Sequence, residues 1–478
     1  MPGASLGSHG SISGVLMEAA PAPKPAWPLW KLVLLALPQM SVQVLWCFIG
    51  PNAVPYMMHL GVGPTLATLN NVAGPTTGFF TGPLIGAWSD RLTCRWGRRR
   101  PIILGGLVST CVAGLLFSGS SRIFSGQAAQ IAFAVPMYWT LDVTVNVLQT
   151  PFRALVSDLA SKEQQVPMQV VFVLMMAIGN FIGYSLMQIW PVPVEHMLEL
   201  MLMICALNVL CIGLQLLIAK EEPLVLADAG GDACCSAVTT IVRSVRGMPR
   251  IFYHLAFVQC LVWIGNTAWT YYGEQWFANS VYGGDQHAPK HSPAWTAYAD
   301  GVAAFSLGGQ LRSGLQLLSA LVIIALLLLT RARPRLVYAP CIYLGAVVSF
   351  LAALVVGHSR VLAIACLTVS IMPETGTFAI PFGLIATLNK RAEEEGRQVS
   401  TALQMAMLNA CVTVGQEVCH LTQSIIVQSV GLTTGLLYLY VLAGSVHALG
   451  GTLALCLDDS PASPSRQVGI RDPNDERC

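Results

Sequence analysis

Charge is what this chain has little of. Only 10% of its 478 residues are Asp, Glu, Lys or Arg, and the mean hydropathy is +0.62. That excludes a soluble globular protein of this length and leaves a polytopic membrane protein. A short apolar core followed by a cleavage site is also missing. The first 26 residues are polar and rich in Gly, Ser and Pro, so no removable signal peptide is read and the first span is expected to act as its own insertion signal. The 14 cysteines contain no metal-type CxxC pair and read as small core residues, not as a disulfide framework. His287 and His291 have the i, i+4 spacing of a helical metal pair, but Pro289 stands between them in a Gly- and Pro-rich stretch. No cluster of nucleophile, base and orienting group is present either. Metal, cofactor, nucleic acid and enzymatic turnover are therefore not expected.

What is there is a series of charge-free runs, among them 32–89, 164–194, 200–219, 251–273, 313–330, 336–359 and 418–457. At ~20 residues per crossing they divide into twelve spans. These fall at about 30–57, 65–88, 101–119, 127–152, 166–190, 198–219, 251–276, 309–330, 336–356, 361–387, 400–428 and 432–456. An even number puts both termini on one side. Of the 26 Lys and Arg, all but Arg122, Lys290, Arg312 and Arg360 fall in the arm, the tail and the loops on that side, counting Arg153 with its loop and Lys31, at the start of the first span, with the arm. That makes the side cytoplasmic by the positive-inside rule. The chain then divides into an arm (1–28), a first six-helix half (29–219), a central loop (220–250), a second half (251–456) and a tail (457–478). In the central loop Cys234-Cys235 offers a palmitoylation site, and the tail carries Ser-Pro pairs open to phosphorylation.

Two stretches carry chemistry. In 141–158, LDVTVNVLQTPFRALVSD, the residues Asp142, Asn146, Gln149 and Arg153 lie at i, i+4, i+7 and i+11, on one face of a helix. Asp142 and Arg153 are separated by roughly 16 Å of rise, so they cannot pair within it. A charged stripe in hydrocarbon is costly and needs water, a partner helix or a solute. In 86–101, GAWSDRLTCRWGRRRP, the residues Gly86, Asp90, Arg91, Gly97, Arg98, Arg99 and Arg100 are suited to interlocking pairs at the cytoplasmic ends of spans, a gate that opens when the halves rock apart. Two such halves joined by a loop are the architecture of rocker-type transporters, with the substrate site between them near the midplane.

The loop GAWSDRLTCRWGRRRP resembles that of the major facilitator superfamily. More narrowly, it resembles the form found in sucrose/proton symporters and their animal relatives of the sugar-cotransporter type. LDVTVNVLQTPFRALVSDL, MAIGNFIGY (176–184), VYGG (281–284), YADGVAAFSLG (298–308) and IPFGLIA (380–386) are similar to segments of that family in the same order. The resemblance implies an all-helical membrane protein with the major facilitator fold, and proton-coupled symport of sucrose or a related disaccharide or glycoside. By position, Asp142 would be the coupling carboxylate and Arg153 the substrate-associated arginine. An apolar site disfavours the ionised form of a carboxylate, which is what lets it load and release a proton.

Glu374, an intramembrane acid, is a second coupling candidate. The amides Gln43, Asn71, Asn180 and Asn409 suit sugar hydroxyls, and the aromatic face of Trp269 can pack on sugar C–H faces. The family carries several charges just before VYGG, whereas here Glu274 is the one acid, a place out of step, and it is assigned to substrate binding with them. The expected partners are a small sugar, protons and the bilayer, at the plasma membrane or an internal one. Another polar solute, export from an organelle, and a non-transporting sugar sensor are the alternatives.

Overall fold

Residues 27–160, 164–221, 248, 250–329, 333–354, 359–394 and 401–457 are described by the computed structural model. Most of the arm, the central loop and the tail, with Cys234, Cys235 and the Ser-Pro pairs, lie outside them. The described chain is helical, without a strand, and a helix stands at each of the twelve expected spans.

The first span is α1 (Leu29–His59), which contains Pro38, Pro51 and Pro55. Proline is tolerated here because a bundle re-satisfies the carbonyls it frees. The second span is broken into α2 (Pro64–Asn70) and α3 (Ala73–Arg91). Then come α4 (Arg100–Ser118), the single turn α5 (Ser120–Ile123), α6 (Gln127–Leu159), α7 (Gln165–Leu186) and α8 (Met197–Ile218). In the second half, α9 (Arg250–Gln275) runs into a π-helical turn, Trp276–Val281. It is followed by α10 (Pro293–Leu329), α11 (Pro334–Leu354), α12 (Arg360–Val369), α13 (Ile371–Glu394), α14 (Thr401–Val430) and α15 (Leu432–Leu455).

Nine helical stretches among the described residues are long and apolar enough to cross a membrane, and α7 adds a shorter apolar run, Val171–Leu186. Neither α3, rich in Gly, Pro and Thr, nor α14, which holds Asn409, Gln416, Glu417, His420 and Gln423, reaches that measure. Leu84, Leu217, Val361 and Ile425 are each more than three fifths exposed. Large aliphatics turned outward in this way fit hydrocarbon, not water, and the protein is an integral membrane protein.

One expectation needs correction. The eighth span is expected at 309–330, with Arg312 counted on the side opposite the termini. The helix instead starts at Pro293, and Arg312 lies deep inside it, 4% exposed. Its guanidinium is held there by an acid from another helix, which no local pattern announces.

The halves pack together at the end of the bundle opposite the termini. Gln310 donates to Ser185 Oγ (2.9 Å), Thr76 to Glu417 Oε1 (2.9 Å) and Ser424 to the Thr65 carbonyl (3.1 Å). Nearer the middle, Asn180 Nδ2 donates to Gln316 Oε1 (3.3 Å). Where α7 crosses α10, Gly309 meets the ring of Tyr184 so closely that any Cβ would collide with it. One apolar core runs through both halves, while a second, built around Phe252, Leu255, Ile342 and Leu408, belongs to the second half alone.

At the terminal end the arginine loop is tied into the first half. Arg98 and Arg99 both reach Asp158 Oδ2 of α6, at 2.8 and 3.1 Å, and Arg99 also donates to Ser89 Oγ. The backbone N–H groups of Arg99 and Arg100 point to Glu221 Oε2, and Arg100 Nη2 donates to the Leu216 carbonyl (2.8 Å). Gly97 has φ +98°, and a Cβ there would strike the Glu221 carboxylate. Gly86 faces Thr150 with ordinary contact distances. Asp90 and Arg91 end α3, and their side chains lie outside the described residues.

Candidate functional site

Between the halves, around the middle of their helices, lies a cavity of about 270 Å³. One wall is the polar face of α6, where Asn146, Gln149 and Arg153 all line the space. Asn146 Nδ2 donates to the Asp142 carbonyl (2.8 Å), Gln149 Nε2 to Asn146 Oδ1 (2.7 Å), and Trp46 Nε1 to Gln149 Oε1 (3.4 Å). This run of amides is thus oriented by its own helix and by α1. On the same side, Gln43 donates to Asn180 Oδ1 (2.9 Å), and both line the cavity.

Arg153 donates through Nε to Gln39 Oε1 (3.0 Å) and has no carboxylate partner among the described residues. Its remaining N–H groups are available to a solute in the cavity it lines. Asp142 sits one turn beyond Asn146 toward the far end. It is 1% exposed, and neither of its carboxylate oxygens has a hydrogen-bond partner. Gly74 of α3, itself a lining residue, stands against it, and a methyl group there would lie 3.7 Å from Oδ1. The glycine brings an unpartnered carboxylate to the cavity's edge.

The opposite wall comes from the second half. Arg312 and Glu374 form an ion pair across α10 and α13 (2.6 Å), both on the cavity, and Arg312 Nη2 also reaches Thr270 Oγ1 (3.4 Å). Glu374 therefore differs from Asp142 in having a cation of its own. Asn409 and Gln416 of α14 and the rings of Trp263 and Tyr271 of α9 complete this wall.

Three residues assigned to substrate contact lie elsewhere. Asn71, at the break between α2 and α3, is 1% exposed and accepts from Tyr138 (3.2 Å). Trp269 is buried edge-on against Trp276 and Tyr440, and its indole N–H is bonded to Ser349 Oγ (3.0 Å). Glu274 is fully buried and not on the cavity. Helix periodicity cannot separate a face that lines a cavity from one that meets a neighbouring helix, and all three sit on faces of the second kind. Arg312, Thr270, Tyr271 and Tyr184 line the cavity without having been singled out, and only a charge within an apolar helix hinted at the first.

This is the fold of the major facilitator superfamily of transporters. A POT family transporter in complex with 5-aminolevulinic acid superposes with a TM-score of 0.65 at 14% identity, covering 90% of this chain and 96% of that one. A D-xylose-proton symporter gives 0.63 at 11%, covering 90% and 97%. In sequence the chain is similar to plant sucrose transport proteins. It is 32% identical to sucrose transport protein SUT4 of Oryza sativa over 169 residues, 32% of this chain and 28% of that protein. It is 26% identical to SUT1 of the same species over 321 residues (60% and 59%), and 27% identical to SUC4 of Arabidopsis thaliana over 320 (59% and 60%). The matched stretches span from about a quarter to three fifths of those relatives. No family model matches the chain. These relatives and neighbours are transporters, not enzymes.

Proposed function

We propose that this protein carries sucrose or a closely related disaccharide across a membrane together with protons, by alternating access of the cavity between its halves. The carrying observation is the pairing of an amide- and guanidinium-lined cavity with a buried, unpartnered carboxylate, Asp142, at its edge. Arg153, Gln149, Asn146, Gln43, Asn180 and Asn409 supply donors and acceptors at the density a polyhydroxylated solute needs. A volume of about 270 Å³ is near the lower end of the ~300–1,000 Å³ typical of small-ligand sites.

Among the described residues the halves meet at the end away from the termini, which supports a state in which the site communicates with the terminal, arginine-bearing side. That side is cytoplasmic, and the pairs made by Arg98 and Arg99 hold the loop that re-forms the closure there. With Asp142 neutral, its burial behind Gly74 costs little. Ionised, it demands water or a cation, which the closed far end denies it. Proton and sugar loading together therefore favour this closed end, and deprotonation toward the cytoplasm favours return.

The test is uptake of labelled sucrose into proteoliposomes with and without an inward proton gradient. Gradient-driven uptake by the native protein, abolished in Asp142→Asn while counterflow exchange persists, is the expected result. Uptake indifferent to the gradient removes the coupling, and failure of a folded preparation to bind or move any disaccharide removes the substrate class.

A further inference from the structure

Among the described acids, two have both carboxylate oxygens buried and without a hydrogen-bond partner: Asp142 in the first half and Glu274 in the second. Glu374, the acid on the cavity, is not one of them, because Arg312 neutralises it. The criterion that marks Asp142 thus marks one further residue. Glu274 is 0% exposed and sits four residues after Thr270, on the same face of α9 but one turn nearer the closed end. Thr270 lines the cavity and bonds to Arg312. Directly beyond Glu274, α9 widens into the π-helical turn Trp276–Val281, a deformation that recurs at functional sites. The amide of Gln275 and the indole N–H of Trp276 are likewise buried without partners.

We infer that Glu274 is a second proton-binding site, one in each half, loaded while the far end is hydrated and enclosed when that end closes. The inference rests on the transport reading above.

Among the described residues no cation pairs with Glu274 in place of the proton. From α10 come Tyr298, which is within electrostatic reach and whose hydroxyl is bonded to Gln286 Oε1 (3.3 Å), and Arg312, committed to Glu374 of α13. From α14, His420 is bonded through Nδ1 to Tyr272 (2.8 Å), and from α15, Tyr440 packs on Trp276. The packed face of α1 has no Asp, Glu, Lys or Arg between 32 and 58. An ionised carboxylate in this setting would be uncompensated, so closure of the far end carries a proton with it. The exit is toward Thr270, where the cavity begins.

Two readouts test this. The first is the infrared absorption of protonated carboxyl groups in reconstituted protein, which needs no sugar. Asp142→Asn and Glu274→Gln should each remove one band, Glu374→Gln none, and Glu274→Asp should restore a shifted band. Loss of no band in Glu274→Gln overturns the proposal. The second is the proton-to-sucrose ratio from the reversal of flux against imposed gradients, expected to be two in the native protein and one in Glu274→Gln. A native ratio of one overturns the coupling of Glu274 while leaving Asp142 in place. Absence of any sucrose flux, with both bands present, would fell the substrate reading and not the second site.

Discussion

The Arg312–Glu374 pair allows a prediction with a magnitude. Its Nη2–Oε2 distance is 2.6 Å, and the two side chains are only 5% and 12% exposed, inside the bundle. Removing one partner of a buried pair typically costs 3–5 kcal/mol, because the charge left behind is unpaired in a low-dielectric site, whereas replacing both with neutral groups is often close to neutral. The pair borders the cavity, which admits some water to a stranded charge, so the lower figure, ~3 kcal/mol, is expected here. Glu374→Gln and Arg312→Gln should each destabilise the protein by about that amount. The double variant should be less damaged than either single one, giving a coupling energy above ~3 kcal/mol. The assay is unfolding of purified protein in mixed micelles at fixed lipid content, with the four proteins of the cycle side by side. Additive losses, with the double variant bearing the sum, would refute the reasoning and mean that the two charges are solvated independently.

Two further outcomes follow from packing. Gly309→Val drives a branched side chain into the Tyr184 ring at the α7–α10 crossing, and should cost ~1–3 kcal/mol or prevent assembly, visible as a lowered melting temperature. Gly314, with open space around it, should accept the same change nearly without loss. Thr76→Val removes the hydrogen bond to Glu417 at the far-end seam, a charge-assisted bond worth ~1.5–3 kcal/mol, and should raise deuterium exchange in 64–76. Unchanged exchange would mean that the seam does not rest on that bond.

Much of the bundle was legible because hydrocarbon imposes a length and an apolarity on each span, and charge asymmetry orders them. The face of α6 was legible for the same reason. Asp142, Asn146, Gln149 and Arg153 are conspicuous in an apolar helix, and their spacing places them together whatever surrounds them. What depended on partners was not legible. Glu374 and Asp142 look alike in sequence and differ only in that Arg312 reaches one of them. Asn71, Trp269 and Glu274 carry the right chemistry on faces that meet other helices. Asp158 and Glu221, which hold the arginine loop, stand outside its motif by tens of residues. The break of the second span at Asn71–Val72, by contrast, has a local cause in the sequence: Pro75 has no N–H to offer the Asn71 carbonyl four residues back, and its ring crowds that carbonyl.

The polarity of α14 bears on how the protein is made. A helix holding Asn409, Gln416, Glu417, His420 and Gln423 gains little by leaving water on its own, and the acid alone opposes transfer by a few kcal/mol. Its place is secured by what is already there: α9, against which it packs, the hydroxyl of Thr76 waiting for Glu417, and Tyr272 waiting for His420. Residency of α14 in the bilayer is thus a property of the assembled bundle, and three of the side chains that make it a poor passenger, Asn409, Gln416 and Glu417, are ones that form the cavity wall and the seam.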